Sequence, residues 1–292
     1  MPIKKIPLSA AALLLTCAAI TPINAHQHSG DDSQDNRRCP PELAAPHATN
    51  SPAKHAKRKN TVTKLYNGLI YPAPKAVLED PANAANIFEQ AAIKGRVTPA
   101  GEYDDFEGAI EYFYGLALTP ASRVDGIKVR SIVASDDKVA VEVDLHFCGA
   151  PYTGCDTEIA DGGNNKTIRQ TGFYTFNKND KIVSFDLTIL NLGKFSNVST
   201  EEAKMQNIIG VCTMLTTAHF NVITESVAFS GTCTDKFDNV NDFPAGFPAT
   251  EGSALNNCIA FMKSIPYGTW DQPASNTFTC RSLHSLLTPF RD

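Results

Sequence analysis

The sequence predicts an α+β domain followed by a cysteine-bearing C-terminal segment, and three observations predict it. Helical periodicity comes early, paired runs of alternating apolar and polar residues follow, and cysteines punctuate a last stretch rich in glycine, proline and asparagine. Helices ahead of consecutive hairpins give segregated layers of helix and antiparallel sheet. The 292 residues, 42% of them hydrophobic and 20% charged, can bury a sizeable core in one large domain or two small ones.

The first 25 residues read as a signal peptide. Lys4 and Lys5 form a basic start, Leu8 to Ile20 is almost wholly apolar, and Pro22 and Ala25 supply a helix break and a small residue for signal peptidase. That apolar run falls short of the ~20 residues that span a bilayer, and no later stretch is apolar enough, so no membrane segment is expected after cleavage. Removing the two lysines leaves 24 basic against 31 acidic residues, a net charge of −7. Such a balance argues against a nucleic-acid partner.

Residues 26 to 60 are rich in His, Ser, Asp, Asn, Pro and Lys, with almost no large apolar side chains. They cannot bury enough surface to offset ordering, so a disordered polar tail is expected there. The tail is also a candidate propeptide. Seven cysteines outlast signal removal, and the odd one, Cys39, stands alone in the tail. Proteases of the secretory pathway cut after basic pairs, and cutting after Lys57-Arg58 would leave an even six: Cys148, Cys155, Cys212, Cys233, Cys258 and Cys280.

In an oxidising compartment those six are expected to be disulfides. A local clamp is favoured between Cys148 and Cys155, which bracket a Gly-Ala-Pro-Tyr-Thr-Gly turn, while the other pairings stay open. Cys280 and His284 share helical spacing, but without a second such pair a disulfide outweighs zinc, and no metal or cofactor is expected. Asn165-Lys166-Thr167 and Asn197-Val198-Ser199 are acceptors for N-glycosylation, each placed by its polar surroundings in a loop. The whole reads as a secreted glycoprotein, extracellular or of the cell wall.

Order is expected from Thr61, with one domain over 61–198 and the cysteine-bearing segment over 199–292. Asn83 to Ile93 and, more clearly, Asp104 to Leu116 carry apolar residues at helical spacing, the second with Asp104, Asp105 and Glu107 at its N-terminal end. Strands follow at Ile127 to Ala134 and Lys138 to Cys148, joined by Ser-Asp-Asp, then at Thr167 to Phe176 and Lys181 to Leu192, joined by Asn-Lys-Asn-Asp. Ser199 or Thr200 caps a helix to about Thr217, and short helices are expected around Ala254 to Met262 and Cys280 to Leu287.

Residues 84 to 195 resemble the nuclear-transport-factor-2-like superfamily, which includes the SnoaL-like polyketide cyclases. The resemblance rests on the helix Phe106-Glu107-Gly108-Ala109-Ile110-Glu111-Tyr112-Phe113, the strand Val139-Ala140-Val141-Glu142-Val143 and the hairpin running from Phe173 to Asp186. It implies a cone-like bent antiparallel sheet packed on helices, with a pocket. Some members are isomerases, cyclases or dehydratases and many only bind a ligand or partner, so fold alone does not choose a function.

Isomerases of this fold set a general base and hydrogen-bond donors on the concave face. Here Asp144 or Asp186 is the candidate base, His146 its partner, and Tyr112 or Tyr114 the donor. Strand alternation opposes that role: Val139, Val141, Val143, Leu145 and Phe147 share one face, with Glu142, Asp144 and His146 on the other. Asp186 likewise lies opposite Phe185 and Leu187. The expectation is therefore a non-catalytic domain binding a small apolar ligand or an extracellular partner, with a SnoaL-like enzyme or a wall protein as alternatives. Trp270 is expected to pack rather than to hold a carbohydrate.

Overall fold

A computed structural model describes residues 51–119, 122–149, 152, 155, 165–195, 198, 200–216, 219–221, 226–228, 237, 249–250, 252–269 and 276–285. The expected signal peptide, Cys39, Asn197, Cys233 and Trp270 lie outside the described residues.

Residues 52–60 are helical, so the disordered tail expected through residue 60 is corrected over its last residues. Helix α1 (Pro52–Asn67) is capped by Ser51, whose hydroxyl accepts the Lys54 amide proton at 3.4 Å, and proline fills its first turn. Arg58, Val62, Leu65 and Tyr66 fall on one stripe and are all buried. Composition averaged over a polar tail misses one such stripe.

After α2 (Ala73–Glu79) comes only a 3-10 turn, Pro81–Ala84, where a helix from Asn83 to Ile93 was expected. The backbone there is committed elsewhere: Glu89 donates to the Ile182 carbonyl and Ile182 to the Ile87 carbonyl, both at 2.9 Å. Two short strands missed by periodicity follow, β1 (Lys94–Thr98) and β2 (Gly101–Tyr103). Helix α3 (Phe106–Ile110) is capped by the Asp105 carboxylate, which accepts from the Gly108 amide at 2.7 Å. It runs into a π-helical turn, Glu111–Gly115, closed by the Leu116 amide on the Glu111 carbonyl at 3.1 Å. All five residues of that turn are buried, which sets Tyr112 inside the protein.

The main sheet adds β3 (Ser122–Ser135), β4 (Lys138–Gly149), β5 (Asn165–Phe176) and β6 (Ile182–Ile189), in the order β2-β1-β6-β5-β4-β3. Every pairing is antiparallel except β1 with β6. Register shifts at Val124/Gly126 and Val129/Ser131 bend the long edge strand β3. Val139, Val141, Val143, Leu145 and Phe147 of β4 pack inward with Ile168, Tyr174 and Phe176 of β5 against α1, α3 and the π-turn. This is the arrangement that the resemblance implies, a bulged sheet with helices over one face.

Helix α4 (Glu201–Thr216), with the Thr200 hydroxyl accepting from the Ala203 amide at 3.1 Å, opens the C-terminal segment. A small hairpin, β7 (His219–Asn221) and β8 (Ser226–Ala228), and helices α5 (Ala254–Ser264) and α6 (Phe278–Ser285) follow. Cys148 is bonded to Cys155 as expected, Cys212 to Cys258, and Cys280 is also disulfide-bonded. A second core gathers Ile208, Val211, Leu215, Met262 and Phe278, while Leu283 of α6 joins the first. Among the described residues no helix is long and apolar enough to cross a membrane.

Candidate functional site

The inner face of the sheet carries a chain of polar side chains amid apolar ones. The Tyr174 hydroxyl donates to Tyr66 at 2.8 Å, and Tyr66 donates to Gln170 Oε1 at 2.6 Å. Gln170 Nε2 in turn donates to the Tyr112 hydroxyl at 2.6 Å. All four side chains are buried. Each arrives from a different constraint: Tyr66 from the buried stripe of α1, Tyr112 from the π-turn, and Gln170 and Tyr174 from the inward positions of β5.

Burial drives the three hydroxyls well above the ordinary phenol pKa; for Tyr112 the Gln170 hydrogen bond opposes this, and for Tyr66 the Tyr174 bond does. All three are therefore neutral phenols at physiological pH, able to donate and accept but not to act as bases. Tyr112 ends the chain. It accepts from Gln170, so its own O–H proton is not used within the chain. Its ring lies 5.0 Å from Tyr103, 4.9 Å from Phe113 and 6.1 Å from Phe185, the last stacked. A hydroxyl at the end of a polarising chain, framed by aromatic rings, suits a neutral acceptor on an apolar molecule. Tyr114, the alternative donor, is also buried, with its pKa raised by that burial.

The other three candidates lie on the opposite face. Asp144 is 2% exposed and clamped by two arginines: Arg169 Nε at 2.7 Å from one carboxylate oxygen and Arg130 Nη2 at 2.6 Å from the other. Burial pushes its pKa up, but hydrogen bonds and charge from Arg169 and Arg130 outweigh it and hold the carboxyl below its usual range. Asp186 is exposed and paired with Arg96 at 2.8 Å. His146 Nδ1 lies 2.9 Å from the Thr167 hydroxyl. The sheet thus separates Asp144, His146 and Asp186 from Tyr112, and the four do not form one constellation.

Two further points concern a candidate glycosylation site and a metal-like cluster. Asn165 is the first residue of β5, opposite Cys148, rather than in a loop as expected. Asp125, Cys148 and Cys155 come close enough to resemble a metal cluster, but the two sulfurs are joined in a disulfide and offer no thiolate.

Sequence reasoning missed Tyr66, Gln170 and Tyr174. The signal was present: along β5 the inward positions run Ile168, Gln170, Gly172, Tyr174, Phe176, and a glutamine within an apolar row needs a partner.

No family model matches the chain, and no curated protein does. Solved structures align with about half of it. A presumed SnoaL-like polyketide cyclase from Jannaschia sp. CCS1 is 14% identical, covering 52% of this chain and 96% of its own, with a TM-score of 0.36. An NTF2-like protein of unknown function from Burkholderia pseudomallei K96243 is 11% identical, covering 46% and 90%, with a TM-score of 0.32. An LEH-like epoxide hydrolase from M. tuberculosis is 10% identical, covering 48% and 82%, with a TM-score of 0.35. The cyclase and the NTF2-like protein are of the kinds that the resemblance names, and at such identities and TM-scores none of the three carries an activity to this chain.

Proposed function

We propose that this is a secreted glycoprotein whose sheet domain binds a small, largely apolar ligand through one neutral hydrogen bond, without turning it over. The observation that carries this reading is the buried chain Tyr174–Tyr66–Gln170–Tyr112, which ends in a phenol whose proton is not used within the chain. The ligand class follows from the same residues: a carbonyl or ether oxygen on an aromatic or alicyclic skeleton, since a charged group would meet neutral phenols and rings. Turnover would need a base beside that oxygen, and the candidate carboxylates are held by arginines across the sheet. Secretion is supported by the signal-like start, the two sequons and the disulfides.

Native mass spectrometry of protein from the culture medium of a eukaryotic host tests this. A co-purifying small molecule, released on denaturation and recovered unchanged after incubation, is expected. Tyr112→Phe should weaken its binding about fivefold, the scale of one neutral hydrogen bond. Asp186→Asn should leave binding as it was. A chemically altered molecule, with the alteration lost in Asp144→Asn or Asp186→Asn, would replace this reading with a catalytic one.

A further inference from the structure

The basic pair Lys57-Arg58 has a physical role beyond that site. Both cations converge on one carboxylate, Asp180: Arg58 Nε lies 2.9 Å from Oδ1 and Lys57 Nζ 3.1 Å from Oδ2. The rest of the Arg58 fork is also engaged. Its Nη1 donates to the Asp136 carbonyl, its Nη2 reaches the Asn177 carbonyl at 3.5 Å, and its guanidinium lies 5.7 Å from the Phe176 ring centre. Asp136 and Asp180 sit at the β3–β4 and β5–β6 hairpin tips, each with the positive φ that tight turns impose. One arginine of α1 therefore holds two hairpin tips at once, with its side chain only 3% exposed.

An endoprotease that cuts after basic pairs needs the chain extended through its cleft and the arginine inserted in an acidic pocket. Neither condition is met here. Residues 57 and 58 lie in the middle of a helix running from Pro52 to Asn67, and Asp180 already occupies the guanidinium.

From this we infer that Lys57-Arg58 is a fold-gated cleavage site, closed in the folded domain by Asp180 and open only in chains whose α1 has not docked. Hydrolysis there would add water across the Arg58–Lys59 amide, giving an Arg58 carboxylate and a Lys59 amine. It would also detach Arg58 from Val62, Leu65 and Tyr66, leaving the helix core without its hold on the hairpins. Cutting thus marks misfolded chains, and the folded protein keeps its residues before Lys59.

The test is limited proteolysis of the secreted protein by a basic-pair endoprotease, with fragments read by mass spectrometry. The native chain should stay uncut after Arg58 over a period in which the reduced, alkylated, unfolded chain is cut to completion there. Asp180→Asn, folded by near-ultraviolet circular dichroism, should be cut at least about tenfold faster than wild type, since cleavage tracks the population of the open form. Native cleavage as fast as that of the unfolded chain, or a folded Asp180→Asn as resistant as wild type, overturns the inference. Hydrogen exchange on the wild-type chain decides the matter without a variant. Slow exchange of the amides of residues 57–60, at the pace of the α1 core, supports the gate, and exchange at the rate of an unstructured peptide refutes it.

Discussion

At the scale of single residues, charge on the outer face serves structure. Asp144 receives Arg130 and Arg169, and Arg169 also reaches Glu142 at 3.3 Å. A carboxylate so held is a poor base and a good fastener. Because its folded pKa is lower than its unfolded one, its contribution is complete above the unfolded value of about 4 and is lost as pH falls through the folded value. Wild-type melting temperature should therefore be insensitive to this group at neutral pH and fall in acid. Asp144→Asn should lower it at pH 7 by the equivalent of about 1–2 kcal/mol, since both arginines can still reach water. The two proteins should converge as pH drops below that range. Thermal melts across pH check this; coincident curves at every pH would show that the clamp contributes nothing.

At the scale of elements, legibility followed locality. The hairpins, α4, α5 and the inward face of β4 were readable because period-two and helical patterns are local properties of the chain. The orientation of Asp144, His146 and Asp186 came from the same alternation. The extent of α1, the strands β1 and β2, and the loss of a helix at Asn83 to Ile93 were not readable, since each is decided by a distant partner: Asp180 for Arg58, β6 for β1, and Ile182 for Ile87 and Glu89. The tyrosine–glutamine chain was missed for the same reason, its members being up to 108 residues apart. Close approach between strands is equally non-local. Gly172 has φ +152, and a Cβ there would lie 2.1 Å from the Asp186 carbonyl oxygen and 2.7 Å from the Leu187 Cα, so backbone must move. Gly172→Ala should cost about 2–4 kcal/mol in urea unfolding. Gly210→Ala, in helix α4 with nothing within 4 Å, should gain about 0.5–1 kcal/mol. Equal effects at the two sites would mean that the β5–β6 approach is looser than its geometry.

At the scale of the whole molecule, two cores share one chain, and α6 joins them. Its Phe278 packs with the second core, against Tyr267 at 4.7 Å between ring centres, and its Leu283 belongs to the first. The disulfide Cys212–Cys258 closes a loop across 46 residues within the second core, a restraint on the unfolded chain of about 4 kcal/mol in the chain-entropy model. It fastens α4 to α5 but ties neither to the sheet. Leu283 thus couples the cores through packing, and its removal should uncouple them. Wild type should unfold in one calorimetric transition with van't Hoff and calorimetric enthalpies equal. Leu283→Ala, beyond the loss of about 2–4 kcal/mol usual for such a truncation, should split that transition into two. The sheet domain and the disulfide-held helices would then melt separately. A single transition, merely shifted downward, would show that the cores are joined by more than this one side chain and would place the cooperative unit at the full length of the folded chain.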